Sequence, residues 1–231
     1  KSTIEREIAL IRSDSESASP YSLLQTSPVI KGVSAINGSR VNEPGSERPV
    51  SFLSFDVEAL PGRATEDHVG RLIWGRYGGE EYGIRRISRI LDQHGIKGNF
   101  LIDFSACLLY GDKAVREVVD FILSQGHEVH VHLHPEWVVR HWGLRHEAWA
   151  KSPAGMDMFD EALNRSVLEY AVYKYKSFVG RDPVMFRAGG YRFNEGTVAA
   201  AKELGFKACS NFNSTRHADV WSSDDVRVLN N

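Results

Sequence analysis

The chain has 231 residues, 42% of them hydrophobic, with 28 basic and 30 acidic side chains and a formal net charge of -2. That is apolar material for one sizeable core, and a near-neutral balance with no basic stripe or tail argues against a nucleic-acid partner. No apolar run approaches the roughly 18 residues of a membrane helix, and Cys107 and Cys209 are too few and too far apart for a disulfide framework. No signal-peptide pattern stands in this stretch, which starts at Lys1, so cytoplasm and bacterial envelope both stay open.

Residues 1–49 read as an N-terminal arm or linker and residues 50–231 as the folded domain. Ile4, Ile8 and Ile11 have the spacing of a short charged helix. The Ser-, Asn-, Gly- and Pro-rich stretch after it carries turn signals such as Asn37-Gly38 and Pro44-Gly45. Residues 50–58 (VSFLSFDVE) predict a first, buried strand that turns acidic at its end. Period-two alternation puts Asp56 and Glu58 on one face and Phe55 and Val57 on the other. Residues 61–79 predict a long Gly- and charge-rich loop, with Arg71, Trp74, Arg76 and Tyr77 as candidate substrate contacts. A helix over 83–93 follows, striped by Ile84, Ile87, Ile90 and Leu91 and terminated at Gly95. Residues 97–103 (KGNFLID) predict a second strand. A second helix over 113–125 carries Val115, Val118, Val119 and Ile122 on one face and stops at Gly126.

The third strand is the densest in chemistry. Residues 126–137 (GHEVHVHLHPEW) place His130, His132 and His134 on one face and Val129, Val131 and Leu133 on the other. Four of the nine histidines fall between His127 and His134, and Pro135 ends the strand. Imidazole suits zinc and other first-row divalent ions, and zinc hydrolases usually take three protein ligands and leave a position for water. A metal site is therefore favoured over a chance cluster of core histidines. Residues 136–153 predict a loop or short helical segment with Trp137, Trp142 and Trp149, which would stack on sugar rings or plug a barrel mouth. One long helix is expected over 156–179, with Phe159, Leu163, Val167, Tyr170 and Phe178 as core. A fourth strand over 184–187 runs into Arg187-Ala188-Gly189-Gly190-Tyr191. Asn194 caps a helix to Leu204, and strands over 206–210 and 226–229 complete the pattern.

Alternating strands and helices argue a parallel sheet with right-handed crossovers. Asp56, Glu58, Asp103, His132, His134 and Arg187 all fall at strand C-terminal ends. A doubly wound sheet gathers ligands only near its switch point, whereas a barrel gathers them from many strands at one rim, and the second fits. No Gly-rich phosphate loop follows the first strand, which excludes a dinucleotide fold.

Three motifs occur in order: FDVE at 55–58, GHE with HLH over 126–134, and FRAGGY at 186–191. They resemble the first three motifs of the polysaccharide deacetylases, the NodB-homology family also called carbohydrate esterase family 4. GIKGNF at 95–100 is similar to that family's second strand, so the resemblance runs over about residues 50–210. It implies an α/β fold, an irregular (β/α) barrel, here incomplete at the C-terminus because at most six strands are found. It also implies a divalent metal, usually zinc, used to hydrolyse an N- or O-acetyl group on a glycan or amino-sugar substrate. By the same resemblance Asp56 is the catalytic base, Arg187 positions it, and a backbone N–H at Tyr191 is an oxyanion donor. The implied metal ligands are Glu58, His132 and His134. Val57 stands where the family has the second acid of an Asp-Asp pair, which makes Glu58 the nearest replacement. Glu136 stands four residues after His132 where the family has histidine, so His134 is taken instead, with Glu136 and His130 as alternates. The family's late histidine acid has no counterpart, since nothing around His217 fits. Two other readings stay open: a hydrolase of a non-sugar amide or imide on the same barrel, and a catalytically silent glycan-binding domain.

Overall fold

The computed structural model describes residues 52–150 and 153–212. The arm over 1–49, the strand over 226–229 and His217 lie outside the described residues. In chain order the strands are β1 (Ser54–Val57), β2 (Arg76–Tyr77), β3 (Glu80–Glu81), β4 (Asn99–Asp103), β5 (Glu128–Leu133), β6 (Met185–Ala188) and β7 (Ala208–Cys209). The helices are α1 (Ile84–Gln93), α2 (Ala106–Tyr110), α3 (Asp112–Ser124), α4 (Pro135–His141), α5 (Glu161–Val179) and α6 (Glu195–Glu203). β2 and β3 form a small antiparallel hairpin, and the other strands make one parallel sheet in the order β1-β4-β5-β6-β7. Each strand adds beside its predecessor without reversal. With right-handed crossovers that order sends every connecting helix to one face, as in a barrel and not as in a doubly wound sheet.

The helix-covered face is apolar. Phe100, Ile102, Val129, Val131, Leu133 and Phe186 are all 1% exposed or less. α3 packs Val118, Val119 and Ile122 against it, and α5 packs Val167, Leu168 and Tyr175. The Tyr175 hydroxyl donates to the Val129 carbonyl at 3.2 Å, so its one polar atom is satisfied inside that layer.

The other face is polar and strongly curved. Register places Asp103, His132 and Arg187 in one row across three strands, with Asp56, Leu101 and His130 in a neighbouring row. In a flat sheet β1 and β7 would stand four strand spacings, about 19 Å, apart. Yet Nη2 of Arg187 donates to Ser54 Oγ on β1 and to Ser210 Oγ just past β7, each at 2.8 Å. The two hydroxyls are therefore no more than about 5.6 Å apart, twice that bond length. The sheet curls like a barrel wall with its polar side concave, and among the described residues it does not close.

Several expectations are corrected. Residues 61–79 are not a bare loop: they hold a 3-10 turn (Pro61–Arg63), a π-helical turn (Val69–Ile73) and the β2–β3 hairpin. Gly78 and Gly79 have φ of 59° and 84°, the pair of positive values that a tight two-residue hairpin requires. Trp74 is core, not a substrate contact; it is 5% exposed, edge-on to Phe121 and covered by Arg85. Arg71 pairs with Glu66 and Arg76 with Glu81, while Tyr77 is exposed on the hairpin. The helix expected over 156–179 is two pieces, a 3-10 turn at Met156–Met158 and then α5. The break is made by Asp160, which stays extended and accepts from Leu163 N at 2.8 Å as an N-cap. Cys107 and Cys209 are free thiols, each pushed up to about 12 by burial. Among the described residues no helix is long and apolar enough to cross a membrane.

α6 begins with a capping box in which Asn194 and Thr197 bond each other's backbone N–H. Asn194 Nδ2 also donates to the carbonyls of Phe159 at 2.9 Å and Asp157 at 3.2 Å, tying α6 to the segment before α5. Asn194→Ala should therefore cost about 1–2 kcal/mol. The measurement is a urea midpoint that falls with the slope unchanged; an unmoved midpoint would show that the box contributes nothing.

Candidate metal centre

The site begins where β5 ends. His132 is the last polar residue of the strand and 1% exposed. His134 is still extended (φ -95°, ψ 94°), and Pro135 occupies the first position of α4. Proline lacks the N–H that a ladder needs and has the φ that a helix start accepts, so the chain turns from strand to helix there. His132 and His134 consequently project the same way, toward Glu58, one residue past β1. Glu58 Oε2 lies 2.7 Å from His134 Nε2 and 3.3 Å from His132 Nε2.

The far ring nitrogens are also held. His132 Nδ1 is 2.9 Å from the Arg187 carbonyl, which can only accept and so fixes that proton on Nδ1. His134 Nδ1 is 3.2 Å from Glu136 Oε1. Burial opposes charge on His134, but hydrogen bonds to Glu136 and Glu58 override it and hold the imidazolium up to about 10. Hydrogen bonds from His132 and then His134 hold Glu58 well below the usual carboxylate range. Asp103, 2% exposed, braces the turn by accepting from Ser105 N at 3.0 Å, Ser105 Oγ at 2.6 Å and His134 N at 3.2 Å. Burial pushes its own pKa up. Gly189 lies flat on the His134 ring, where a Cβ would come within 2.8–2.9 Å of three ring atoms.

These residues fit a divalent cation. One donor atom each from Glu58, His132 and His134 lies within 4.8 Å of the others. Donors about 2.0–2.1 Å from one tetrahedral ion stand about 3.3 Å apart, which the Glu58–His132 contact already matches at 3.3 Å, while the Glu58–His134 contact at 2.7 Å has to open. Two imidazoles with their second nitrogens anchored, plus a carboxylate, are a donor set suited to a catalytic zinc-like ion with one position left open. His130, an alternate ligand, stays outside the cluster, with Nε2 3.1 Å from Asn99 Oδ1 and its pKa pushed down to about 4 by burial. Glu136, the other alternate, touches the cluster through His134 and is not one of the three.

A second group lies alongside. Arg187 Nη1 donates to Asp56 Oδ1 at 2.6 Å and Nε to the Ser210 carbonyl at 3.1 Å. The Arg187 side chain is 8% exposed and that of Asp56 is 28%, so the carboxylate faces solvent while its partner is buried. The Tyr191 ring stands 5.5 Å from the guanidinium carbon. Tyr191 has φ 57° directly after Gly190 at 61°, a left-handed pair closed by a bond from Arg192 N to the Gly189 carbonyl. For a tyrosine that conformation stores about 1–3 kcal/mol of strain. The structure thus brings Glu58, His132 and His134 together and strings Asp56, Arg187 and Tyr191 beside them. Arg187 joins the two groups, because its carbonyl holds His132 and its side chain holds Asp56.

Ser54, Ser210 and Asn211 went unnoticed in the sequence. Ser54 carried a signal, since it is two residues before Asp56 and so shares its face. Asn211, whose Oδ1 accepts from Ala188 N at 2.7 Å, carried none.

No protein-family model matches the chain, and no curated protein matches it. Solved structures do. A candidate polysaccharide deacetylase from Mycobacterium smegmatis is 22% identical with a TM-score of 0.47, over 72% of this chain and 55% of that one. A CE4-family pseudoenzyme from Bacillus anthracis is 15% identical with a TM-score of 0.42, over 54% and 37%. A family 4 acetyl xylan esterase from Clostridium thermocellum, solved with a cobalt ion, is 14% identical with a TM-score of 0.39, over 64% and 53%. The chain spans about half the length, or less, of these three structures.

Two pH limbs follow from the Glu58–His134 pair. The contribution of Glu58 is present above its ordinary 4.5 and fades as pH falls toward its depressed value. That of His134 is complete below 6.5 and is lost as pH rises through about 10. Chelator-treated protein should be most stable between those limbs. Glu58→Gln should lower that maximum by about 2 kcal/mol, less than for a fully buried pair, and flatten both limbs. Thermal melts across pH check this, and identical profiles for both proteins would rule the ion pair out.

Proposed function

We propose that this chain is a metal-dependent hydrolase that removes acetyl groups from an amino-sugar-containing glycan or its precursor. The supporting observation is the convergence of Glu58, His132 and His134 at the rim where Arg187 also presents Asp56. In this reading residues 50–231 are the catalytic domain and residues 1–49 an arm leading into it.

Glu58, His132 and His134 hold the ion, zinc by donor chemistry. When bound, it supplies Lewis-acid polarisation of the acetyl carbonyl and makes nearby water easier to deprotonate. Asp56, partly open to solvent, takes the proton from the attacking water as general base, and the carboxylic acid so formed returns it to the leaving amine nitrogen as the C–N bond breaks. Arg187 holds Asp56 through a charge-assisted hydrogen bond at 2.6 Å and fixes its direction with an anchored guanidinium. The Tyr191 backbone N–H donates to the oxyanion; a donor of that kind is typically worth about 2.7–4 kcal/mol of barrier. Glu136 and the Arg187 carbonyl orient the two imidazoles through their Nδ1 atoms.

The experiment is acetate release from acetylated chitooligosaccharides with and without added zinc. Metal retention without acetate release would favour a non-sugar amide or imide on the same chemistry. Asp56→Asn should lower turnover by about 10²–10⁴-fold with metal content unchanged, because an amide of the same shape cannot take the proton. Loss of metal in that variant would make Asp56 a ligand.

Metal analysis of purified variants tests the ligand set. His132→Ala and His134→Ala should each lose the ion, and His130→Ala should keep it. Glu136→Ala should weaken binding by about 10–100-fold, as expected for a residue that only orients a ligand. Metal kept in His134→Ala but lost in Glu136→Ala would instead make Glu136 the ligand.

A further inference from the structure

We propose that the groove beside α4 is a subsite for an anionic sugar, one bearing a carboxylate or phosphate next to the residue to be deacetylated. Its place in the reaction rests on the hydrolase reading above, whereas its binding chemistry does not.

The groove encloses about 720 Å³ between α4 and residues 143–149, 153 and 154, a size that suits a small ligand. Glu136 lines it and also touches His134, so groove and candidate metal centre share a wall. Two of the three nearby tryptophans line it, Trp137 and Trp149, each partly exposed. Trp142 does not, being 5% exposed and part of the core. Trp149 is held by the Phe159 ring, 5.4 Å away and inclined at 61°. An aromatic face fixed in this way gives contact area at little entropic cost.

The charge of the groove is the second observation. Arg140 and Arg145 both line it and both are exposed. Arg140 is four residues after Glu136 on α4, the spacing at which a helical Glu and Arg usually pair. Here Glu136 is turned to His134, and the Arg140 guanidinium lies 4.9 Å from the Trp137 ring centre instead. Among the described residues neither Arg140 nor Arg145 meets a carboxylate. Elsewhere on this surface Arg71, Arg85, Arg165 and Arg181 each pair with a glutamate at 3.0 Å or less. The groove therefore combines two aromatic faces with two guanidiniums that meet no carboxylate among the described residues. A planar guanidinium presents a fork of donors that matches a carboxylate or phosphate. A neutral glycan would leave both forks to water. Arg140 is about 6 Å along the helix from Glu136, close enough for the anion to sit near the sugar being hydrolysed.

The test is tryptophan-fluorescence titration of the full chain with three probes: neutral N,N′-diacetylchitobiose, N-acetylmuramic acid and N-acetylglucosamine 1-phosphate. At about 20 mM salt at least one anionic probe should bind about tenfold or more tightly than the neutral one, and the gap should shrink at about 0.5 M. The two anionic arms tell carboxylate from phosphate. The double variant Arg140→Gln/Arg145→Gln should lose the gap and keep neutral binding, while Trp149→Ala weakens all three; thermal melts establish that each variant is folded. Equal binding of the three probes by the unaltered chain overturns the proposal, as does a gap that survives in the double variant. Acetate release run in parallel separates the two readings. An anionic preference without hydrolysis sinks the hydrolase and keeps the subsite, and hydrolysis without the preference does the reverse.

Discussion

The concave face depends on one buried cation. Arg187 is 7% exposed, and a guanidinium so buried must find acceptors in the protein. It finds Asp56 and Ser54 on β1 and both oxygens of Ser210 past β7. Those groups come from the two edges of the described sheet, so satisfying one charge requires the edges to curl toward each other. Curvature, which parallel strand pairing alone leaves free, is thereby coupled to electrostatics. The same residue reaches the other half of the site through its backbone, where its carbonyl accepts from His132 Nδ1 and fixes the ring's orientation.

Charge is balanced just as closely in the cluster next to it. Glu58 sits between two imidazoles, and His134 sits between two carboxylates. The His134 proton screens Glu58 from Glu136. That proton has to leave Nε2 before the nitrogen can act as a ligand, which couples ion binding at this cluster to pH. Asp103 and Gly189 act on the same ring in another way, one by fixing the His134 backbone N–H and the other by leaving space for the imidazole.

Period-two alternation made much of this legible in the sequence. It aligned Asp56 with Glu58 and His132 with His134, and it marked Val129, Val131 and Leu133 as the buried face. It could not say how the sheet bends, because bending is set by contacts between residues as distant as Arg187 and Asp56. Nor could composition sort the tryptophans. Trp74 and Trp142 are core while Trp149 lines a groove, and the difference is made by neighbours such as Phe121 and Phe159. The break before α5 was readable in principle, since Asp160 three residues before Leu163 can serve as a cap. Helical spacing of the apolar residues on either side concealed it.

The placement of His134 and Glu136 has a physical reading in the same geometry. A residue two after His132 is still on extended backbone and projects with it, whereas position 136 lies on the first turn of α4, beyond Pro135. From there a carboxylate reaches the back of the His134 ring, Nδ1, and not the front. Glu136 thus stands behind the cluster of Glu58, His132 and His134 and not within it. The same contact removes Glu136 as the helical partner of Arg140 and leaves that guanidinium over Trp137, facing the groove. The choice of partner by one carboxylate therefore shapes both the metal side and the groove side of the wall they share.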